Sequence, residues 1–430
     1  MLALTFIREN AGLVRRGAER KGEPAPVDQI LEVDRNHREL LTAEEGLRQR
    51  QNLASAELAR GGDLAAARGA LAELKRQIQG LQERRRVLEA TLQSLLLLVP
   101  NLPHESVPDG KTDEDNLVVR SWGEPPKFEF EPKSHYELGE GLGVFDFDRA
   151  VRLAGSRFAV LRGQGALLER ALAQLMLDLA TREHGYTEIL PPYLVNREAM
   201  VGTGNLPKFE EDAFHVLEGD RFLIPTAEVP LTNLYRDEVL AGSDLPIRLV
   251  AHTPCWRSEA GAPGKDTKGY IRLHQFAKVE LVKLVRPDGS LDELESLVAD
   301  AEAVLQRLGL HYRVRLMCAG DMGFAQWKKY DIDAWAPGLG RFLEVSSCSV
   351  FADFQARRAR LRFRGDSGKP EFLHTLNGSA LALPRTLDCV LESYQTAAGT
   401  VRIPPALIPY MGGLEEMGVA AKGAALGSPQ

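Results

Sequence analysis

The sequence predicts an α+β protein: a long N-terminal hairpin of two antiparallel helices, then a domain built on an antiparallel β-sheet flanked by helices. Residues 27–99 contain neither proline nor an aromatic residue, which is typical of long helices. From about Phe128, short β-branched and aromatic runs alternate with turn residues and amphipathic helices, which indicates strands in hairpin order. With 430 residues, the chain is long enough for two or three domains.

The helical hairpin is predicted from apolar spacing. Steps of three and four residues define the seam of a coiled coil. Such steps, with one step of seven across Arg85, join Leu64, Ala67, Leu71, Leu74, Ile78, Leu81, Leu88, Leu92 and Leu95. A weaker seam from Ile30 to Leu58 is interrupted on the same phase by His37, Glu44 and Gln51. Gly61-Gly62-Asp63 lies between the two seams and predicts a chain reversal. We therefore expect an arm over about 27–98 that is about 50 Å long.

Charge limits what the chain binds. Its 53 Lys and Arg against 60 Asp and Glu give a net charge of -7, so a nucleic-acid contact needs a local basic face. The arm carries 11 basic and 11 acidic residues and one basic cluster, Arg84-Arg85-Arg86. Charge alone therefore leaves two interpretations of the arm open: a dimerisation or spacer coiled coil, and a nucleic-acid contact.

Cysteine spacing and hydropathy favour a cytoplasmic protein without a structural metal. The four cysteines lie far apart and form no C-x-x-C pair, so neither disulfides nor a zinc site is expected. The N-terminus becomes polar too early for a signal peptide. The apolar run at 95–99 is far shorter than the roughly 20 residues that span a bilayer, so no membrane contact is expected.

Composition also predicts the domain boundaries. An N-terminal domain over residues 1–102 contains the arm, and a linker rich in proline and acidic residues follows over 103–127. The main domain is predicted over 128–413, and 414–430 is predicted to be a flexible tail.

Two clusters in the main domain combine carboxylates with hydroxyl or guanidinium groups. Thr226-Ala227-Glu228 stands between two prolines, and Arg257-Ser258-Glu259 precedes a glycine-rich loop. A returning strand is predicted from Tyr270, and its period of two would place on one face Arg272, His274, Phe276, Lys278 and Glu280. Such a face suits a site that clamps phosphate with arginine, stacks a base on phenylalanine and holds an ammonium on glutamate.

Two further clusters predict contacts to a nucleotide. Glu344 and Ser346 would share a strand face, with Ser347 at the strand end, and such oxygens suit Mg²⁺ on a triphosphate. Residues 377–380 are small and predict a turn that delivers a helix with Pro384 and Arg385 in its first turn. A helix start beside a fixed arginine is a natural phosphate site.

Together these clusters resemble the motifs of the class II aminoacyl-tRNA synthetases and, within that class, the bacterial-type seryl-tRNA synthetase family. The resemblance covers the chain from the arm to about Gly413. The first, second and third class motifs correspond to Gly185–Pro192, Arg257–Glu280 and Asn377–Arg385. Thr226–Glu228 and Glu344–Ser347 are similar to the additions of the seryl family. Members of the family in general have glycine where Ala380 and Pro384 stand here.

The resemblance implies a homodimeric enzyme that activates L-serine with ATP and transfers it to tRNA(Ser), and also to tRNA(Sec), with the arm contacting the tRNA. It implies that Arg257 and Arg385 are catalytic and that Glu344 and Ser347 bind Mg²⁺. The implied serine-binding residues are Thr226, Ala227, Glu228, Glu280, Asn377 and Ser379. The implied ATP-binding residues are Arg257, Ser258, Glu259, Arg272, Phe276, Glu344, Val345, Ser346, Ser347 and Arg385.

Two other functions compete with this interpretation. An amino acid:carrier-protein ligase would keep the same adenylating core but transfer the amino acid to a thiol; the long arm and Thr226-Ala227-Glu228 disfavour it. A non-catalytic scaffold would combine the coiled coil with a decayed nucleotide site. The arginines and carboxylates that ATP requires are all present, which argues against decay.

Overall fold

A computed structural model describes residues 1–60, 64–260 and 269–418. The chain divides into two units, Met1–Pro100 and Asn101–Gln430. Three predicted features lie wholly or mostly outside the described residues: the reversal at 61–63, the glycine-rich loop that follows Glu259, and the tail, of which 419–430 are not described. Within the described ranges, the predicted α+β architecture of a helical arm and an antiparallel sheet flanked by helices is confirmed.

The first unit consists of helices. In chain order they are α1 (Leu4–Glu9), α2 (Ala11–Arg20), α3 (Val27–Ala59) and α4 (Leu64–Leu97). The two short helices pack on the base of the arm through a buried cluster that contains Ile7, Val14, Val27, Ile30, Leu92, Leu96 and Val99. This cluster gives the unit a core that does not depend on the distal part of the arm.

From Leu71 onward the predicted seam of α4 packs on α3, and the polar interruption at Glu44 meets polar residues of α4. Glu44 of α3 is buried in the seam. Its carboxylate accepts a hydrogen bond from Gln82 Nε2 at 2.9 Å and pairs with Arg85 Nε at 3.3 Å. Arg85 occupies the α4 position where the apolar repeat skips a residue. A buried polar pair of this kind fixes the register of two helices. Because Arg85 takes part in it, Arg85 does not point outward with the other arginines of the basic cluster.

The second unit is built on a sheet that has eight strands among the described residues. Over 101–260 and 269–418 this unit forms the strands β1 (Leu117–Trp122), β2 (Thr187–Glu188), β3 (Leu194–Asn196), β4 (His215–Val216), β5 (Arg221–Leu223), β6 (Val239–Ala241), β7 (Ile247–Trp256), β8 (Gln275–Val285), β9 (Tyr312–Leu316), β10 (Lys328–Ala336), β11 (Arg341–Val350), β12 (Arg362–Arg364), β13 (Pro370–Phe372), β14 (His374–Ala382), β15 (Val401–Arg402) and β16 (Glu416–Met417). The large sheet has the order β1-β9-β10-β11-β14-β8-β7-β2. Its neighbours are antiparallel except for the short parallel pair β2–β7.

Helices cover this sheet and bury its apolar face. They are α5 (His135–Leu142), α6 (Phe147–Ala154), α7 (Gln164–Asp178), α8 (Arg197–Thr203), α9 (Glu228–Thr232), α10 (Ser290–Leu308), α11 (Phe354–Ala359) and α12 (Leu383–Ser393). The main core joins leucine-rich faces of α7, α10 and α12 to the central strands. On the other side of β7 and β8, a second apolar cluster packs Leu249, Ala251, Val282 and Leu284 against α9 and α11, and polar side chains such as Glu280 lie beside it.

Two predicted boundaries need correction. The segment predicted as a linker over 103–127 contains β1, which pairs with β9 from Leu117↔Leu316 to Trp122↔Tyr312. Because every residue of this edge strand is exposed, no buried apolar pattern marked it in the sequence. The predicted tail overlaps β16, which pairs with β15 and buries Met417. The ordered second unit therefore continues beyond Gly413.

Three findings concern membranes, metals and thiols. No helix in the described part of the chain has the length and apolar character needed to cross a membrane. Over residues 1–60, 64–260 and 269–418, no three His, Cys, Asp or Glu side chains are grouped so that they could hold a metal ion. The four cysteines are buried and form no disulfide.

Candidate active site

A polar cleft with a cavity of about 390 Å³ opens beside strands β8, β10, β11 and β14. Most residues expected to bind serine or ATP lie in its wall: Thr226, Glu228, Arg257, Glu259, Arg272, Phe276, Glu280, Glu344, Val345, Ser346, Ser347, Asn377, Ser379 and Arg385. Segments more than 150 residues apart in sequence therefore meet in one cavity. This convergence is what the combination of motifs predicts.

Two of the expected residues point elsewhere. Ala227 is fully buried and packs in the hydrophobic cluster that also contains Leu231 and Leu249. Ser258 Oγ donates a hydrogen bond to the backbone oxygen of Glu211 at 2.8 Å. Neither side chain is part of the cleft wall, so contact of Ala227 or Ser258 with a ligand stays a prediction and would involve the backbone. Each is the neighbour of a residue that does face the cleft.

Glu280 is the centre of a buried hydrogen-bond network at one end of the cleft. Its Oε1 accepts from Asn377 Nδ2 at 3.0 Å, and its Oε2 accepts from Ser379 Oγ at 2.9 Å. Lys278 Nζ lies 2.8 Å from the same Oε2. β8 and β14 bring these groups together, because Ser379 stands directly opposite Glu280 in the ladder. The carboxylate is therefore neutralised and held in a fixed orientation before any ligand binds.

Glu228 provides a second carboxyl group at the same end. Gln355 Nε2 donates to its Oε1 at 2.7 Å, and the Glu228 backbone N–H donates to Thr226 Oγ1 at 3.2 Å. Burial raises the pKa of Glu228 to about 7, and the nearby charge of Glu280 adds to the effect. The Glu228 carboxyl is therefore poised between its neutral and charged forms near neutral pH.

The other end of the cleft is rich in guanidinium groups. Arg257 Cζ lies 5.3 Å from the centre of the Phe276 ring. Phe276 is on β8 and stands opposite Cys255 of β7. Arg272 Nε pairs with Glu259 Oε2 at 2.5 Å. Glu259 has a φ of +53°, an unusual backbone conformation for a residue with a side chain. Such conformations occur where surrounding structure requires them, often at binding sites.

Arg385 connects the first turn of α12 to two other parts of the cleft. Its Nε donates to the backbone oxygen of Ile271 at 3.2 Å, and its Nη1 donates to the backbone oxygen of Glu344 at 2.7 Å. The Glu344 carboxylate lies 3.7 Å from Nη1. The guanidinium is thus held at the point where β11, α12 and the residues before β8 meet.

A bulge in β11 decides which oxygens face the cleft. The pairing with β10 shifts at Val345, so Glu344 stands opposite Asp333 and Ser347 stands opposite Asp331. Because these two aspartates are two residues apart on β10, Glu344 and Ser347 share one face of the sheet. Strict alternation predicted instead that Glu344 would share its face with Ser346. Only the bulge brings the two expected Mg²⁺ ligands to the same side.

Ser346 has a different partner as a result. Its Oγ donates to the backbone oxygen of Ser379 at 2.5 Å, and Cys348 Sγ lies 3.6 Å away. The side chain is 2% exposed. The prediction that Ser346 lies beside Glu344 is therefore wrong; its hydroxyl joins β11 to β14.

Two other local predictions are wrong for related reasons. β8 begins at Gln275, and the residues before it form turns and bends, so Arg272 reaches the cleft from a loop. His274 lies between the Phe158 and Phe214 rings and outside the cleft wall. The predicted turn over 377–380 is part of strand β14, which runs directly into α12. Small residues here permit close packing of strands, which a sequence pattern does not distinguish from a turn.

Two lysines in the wall were given no role from the sequence. Lys278 was placed on the correct face by alternation, but its contact with Glu280 depends on the cross-strand geometry. Lys329 of β10 lies 3.2 Å from Asp331 Oδ1. The only signal in the sequence is the alternation of charged and apolar residues over 329–334, which marks a strand with one polar face.

Comparison with known proteins is consistent with this geometry. The model of the Seryl-tRNA synthetase N-terminal domain matches residues 1–103, and that of the tRNA synthetase class II core domain (G, H, P, S and T) matches residues 213–394. A serine–tRNA ligase from Citrifermentans bemidjiense is 54% identical over 421 residues, which cover 97% of this chain and 100% of that protein. The chain belongs to the seryl-tRNA synthetase family.

Two solved seryl-tRNA synthetases extend the comparison to the fold. The enzyme from Pyrococcus horikoshii, crystallised with ATP, has a TM-score of 0.93 at 38% identity and covers 98% of this chain and 100% of its own. The cytoplasmic serine–tRNA ligase from Naegleria fowleri, in complex with AMP, has a TM-score of 0.88 at 29% identity, covering 98% and 99%. Both chains align over the arm as well as the sheet.

Membership of the family makes this chain a serine–tRNA ligase with an ATP-dependent class II core. Its departures at Ala380 and Pro384 are accommodated by the structure. Pro384 stands in the first turn of α12, where a backbone N–H has no partner within the helix, so proline costs little there. Ala380 is buried within β14. Neither substitution displaces Arg385 from the cleft.

Proposed function

We propose that the cleft binds serine at its Glu280 end and ATP at its arginine end. It joins the two substrates to form seryl-adenylate, and the serine is then transferred to tRNA. The observation that supports this most directly is the convergence of four glutamates and three arginines on one cavity. No protein nucleophile is required, because both reactions can proceed by positioning and by neutralisation of charge.

The ammonium group of serine is assigned to Glu228. From the sequence we expected Glu280 to hold it, but Lys278 already neutralises that carboxylate. A second cation beside Lys278 would be repelled, whereas Glu228 has an amide, Gln355, as its nearest partner. Glu280 and Ser379 then remain to hydrogen-bond the serine hydroxyl. Alanine would leave these buried groups unpaired, a defect that costs about 10⁴–10⁵ in selectivity at comparable sites.

The assignment of Glu228 predicts a pH dependence. The pKa of its carboxyl is raised to about 7, so the charged form that binds an ammonium increases as pH rises through that value. We expect kcat/KM for serine in pyrophosphate exchange to rise from pH 6 to pH 8 with a midpoint near 7. Glu228→Gln should lower kcat/KM by about 100-fold and remove this rise.

The control for this experiment is kcat/KM for ATP at saturating serine, since ATP does not use Glu228. If Glu228→Gln retained the wild-type pH profile for serine, the ammonium would bind elsewhere. A Glu228→Asp variant keeps the charge but shortens the side chain, so it should retain the pH profile at a reduced rate.

The arginine end is proposed to bind ATP. Arg257 would contact the α-phosphate, Phe276 would stack on the adenine, Glu259 would accept from its amino group, and Arg385 would hold the far end of the triphosphate. A carboxylate oxygen of serine attacks the α-phosphorus, forming one O–P bond, and the bond to pyrophosphate breaks. The developing negative charge lies beside Arg257, which is why this residue is assigned to the transition state.

Glu344 and Ser347 fit the Mg²⁺ that the family implies. The bulge in β11 brings a carboxylate and a hydroxyl to one face beside Arg385, and Mg²⁺ on a phosphate needs only one or two such protein oxygens. When bound there, the ion would neutralise charge on the triphosphate. We propose these two residues as its protein ligands.

Transfer to tRNA completes the proposed reaction. A ribose hydroxyl at the 3′ end of tRNA attacks the carbonyl carbon of seryl-adenylate, and AMP leaves. The arm is proposed to contact tRNA(Ser), with tRNA(Sec) as a second acceptor. A cytoplasmic homodimer is also proposed. The edge of the sheet at β2 supports this, since nearby Leu190 is 82% exposed.

A substrate screen tests the function. Pyrophosphate exchange with each of the 20 amino acids should depend on serine, and purified tRNA(Ser) should then be charged. The carrier-protein alternative predicts the same exchange but transfer to a carrier thiol and not to tRNA. Absence of exchange with every amino acid would contradict both enzymatic functions.

A further inference from the structure

A buried group of three ionisable side chains lies behind the arginine end of the cleft. His135, the first residue of α5, contacts two carboxyl groups of α12, and all three residues are fully buried. Its Nδ1 lies 2.8 Å from Glu392 Oε1, and its Nε2 lies 3.7 Å from Asp388 Oδ2. The other Glu392 oxygen accepts from the backbone N–H groups of Gly338 and Leu339. Glu392 is thus well paired.

Asp388 is not paired in this way. Among the described residues, neither of its carboxyl oxygens nor His135 Nε2 has a hydrogen-bond partner. Burial raises the pKa of Asp388 to about 7, although His135 opposes the shift. Burial alone would lower the pKa of His135, but the carboxyls of Asp388 and Glu392 outweigh it and raise that pKa. A buried, poorly paired carboxyl is costly to retain unless it has a task.

The position of the group connects it to ATP binding. Asp388 follows Arg385 by three residues on α12, so the two side chains emerge one turn apart on the same side. The His135 ring is packed so closely on Gly269 that a Cβ on that glycine would overlap Nε2. Gly269 precedes Tyr270 and Ile271, which line the cleft, and the Ile271 oxygen accepts from Arg385. The His135 ring therefore contacts both helix α12, which carries Arg385, and the segment from Gly269 to Ile271, which bonds its guanidinium.

We propose that His135 is a positioning residue for Arg385: through Asp388 and Glu392 it fixes α12 against α5 and the backbone at Gly269, and so sets the affinity of the cleft for the ATP triphosphate. This inference rests on the proposed role of Arg385 in ATP binding. The charged groups that face His135 are Asp388 and Glu392 of α12 and Arg341 at the start of β11. Besides His135 and Glu392, the titratable groups that face Asp388 are Arg385 and Cys389 of α12 and Tyr270, which follows Gly269.

The two contacts of His135 can be separated by substitution. In His135→Asn the amide nitrogen can replace Nδ1 and keep the bond to Glu392. No atom of asparagine replaces Nε2, so the contacts with Asp388 and Gly269 are lost. We expect this variant of the full chain to fold and to show a KM for ATP raised about tenfold. Its kcat and its KM for serine should stay within about twofold of wild type, because the Glu280 end of the cleft is not touched.

Asp388→Asn provides a readout that a purely structural role would not change. Because Arg385 lowers the pKa of Asp388, binding of a triphosphate to Arg385 must raise it, and ionisation of Asp388 must in turn weaken ATP binding. We therefore compare the ratio of KM for ATP at pH 8 to KM at pH 6, both at saturating serine. This ratio should be about threefold larger for wild type than for Asp388→Asn, because the amide of the variant stays neutral. Titration of ATP itself is common to both proteins and cancels.

His311→Gln serves as the matched control. His311 is a histidine of the same unit whose Nδ1 bonds the backbone oxygen of Trp122 at 2.9 Å, and it lies outside the cleft wall. This variant should leave both KM values unchanged. A wild-type KM for ATP in His135→Asn, or equal pH profiles for wild type and Asp388→Asn, overturns the inference. A wild-type chain without serine-dependent exchange would instead overturn the proposed function.

Discussion

Replacing Arg257 with alanine is expected to reduce serine-dependent ATP–pyrophosphate exchange by about 10³-fold, or ~4 kcal/mol of transition-state stabilisation. Its guanidinium lies over the Phe276 ring and bonds the backbone oxygen of Pro225 at 3.3 Å, so its position does not depend on a carboxylate partner. The charge remains available for a phosphate. Since the proposed contact strengthens as charge develops on the α-phosphate, kcat should fall more than KM for ATP rises.

Two variants make the Arg257 experiment specific. Arg257→Lys keeps the charge but loses the planar fork, so exchange should fall by only about 10–100-fold. Arg248→Ala removes an arginine from β7, the strand that ends one residue before Arg257, where it pairs with Glu293 at 3.0 Å outside the cleft. That control should exchange at the wild-type rate. Unaltered exchange in Arg257→Ala would remove this residue from the mechanism.

Shortening the arm is expected to separate the two half-reactions. Deleting residues 51–76 and joining Arg50 to Gln77 through two glycines removes the distal part of the arm. The cut respects the pairing of α3 with α4, in which Glu44 contacts Gln82 at 2.9 Å. The core at the base, from Ile7 to Val99, is retained. Exchange should stay within about twofold of wild type, while kcat/KM for charging tRNA(Ser) should fall at least about 100-fold.

The same preparation provides the control, because seryl-adenylate formation and tRNA charging are measured on one protein. A matched variant, Val87→Ala, changes an exposed residue of α4 without shortening the arm and should charge tRNA normally. Normal charging by the shortened chain would contradict the tRNA contact and leave a dimerisation or spacer role for the arm.

Local patterns predicted the parts of the fold that repeat. The spacing of leucines from Leu71 to Leu95 predicted α4 and its buried side, because a helix of 3.6 residues per turn has only one way to bury such a stripe. The same rule did not find β1 at 117–122. Its residues are all exposed, and the strand is held by backbone hydrogen bonds to β9, which leave no mark in the pattern of side chains.

At the site, the sequence identified residue types more reliably than their directions. Arg257, Glu280 and Arg385 were found because their chemistry is conspicuous and their motifs are specific. Their neighbours were harder to place. Ala227 and Ser258 belong to the same motifs, but their side chains turn away from the cleft: Ala227 packs in an apolar cluster at the start of α9, and Ser258 bonds the backbone of Glu211. A motif names both members of such a pair and does not say which one faces the ligand.

The amino-acid sequence by itself determined the helical arm, the antiparallel sheet, the family and the chemistry of the groups that meet the substrates. Only the tertiary structure decided that Ser347 and not Ser346 lies beside Glu344, that Lys278 neutralises Glu280, and that His135 lies behind Arg385. The reason is physical. Periodicity is a property of neighbouring residues, whereas a bulge, a cross-strand ion pair and a buried contact between helices depend on segments that are distant in the chain and meet only on folding.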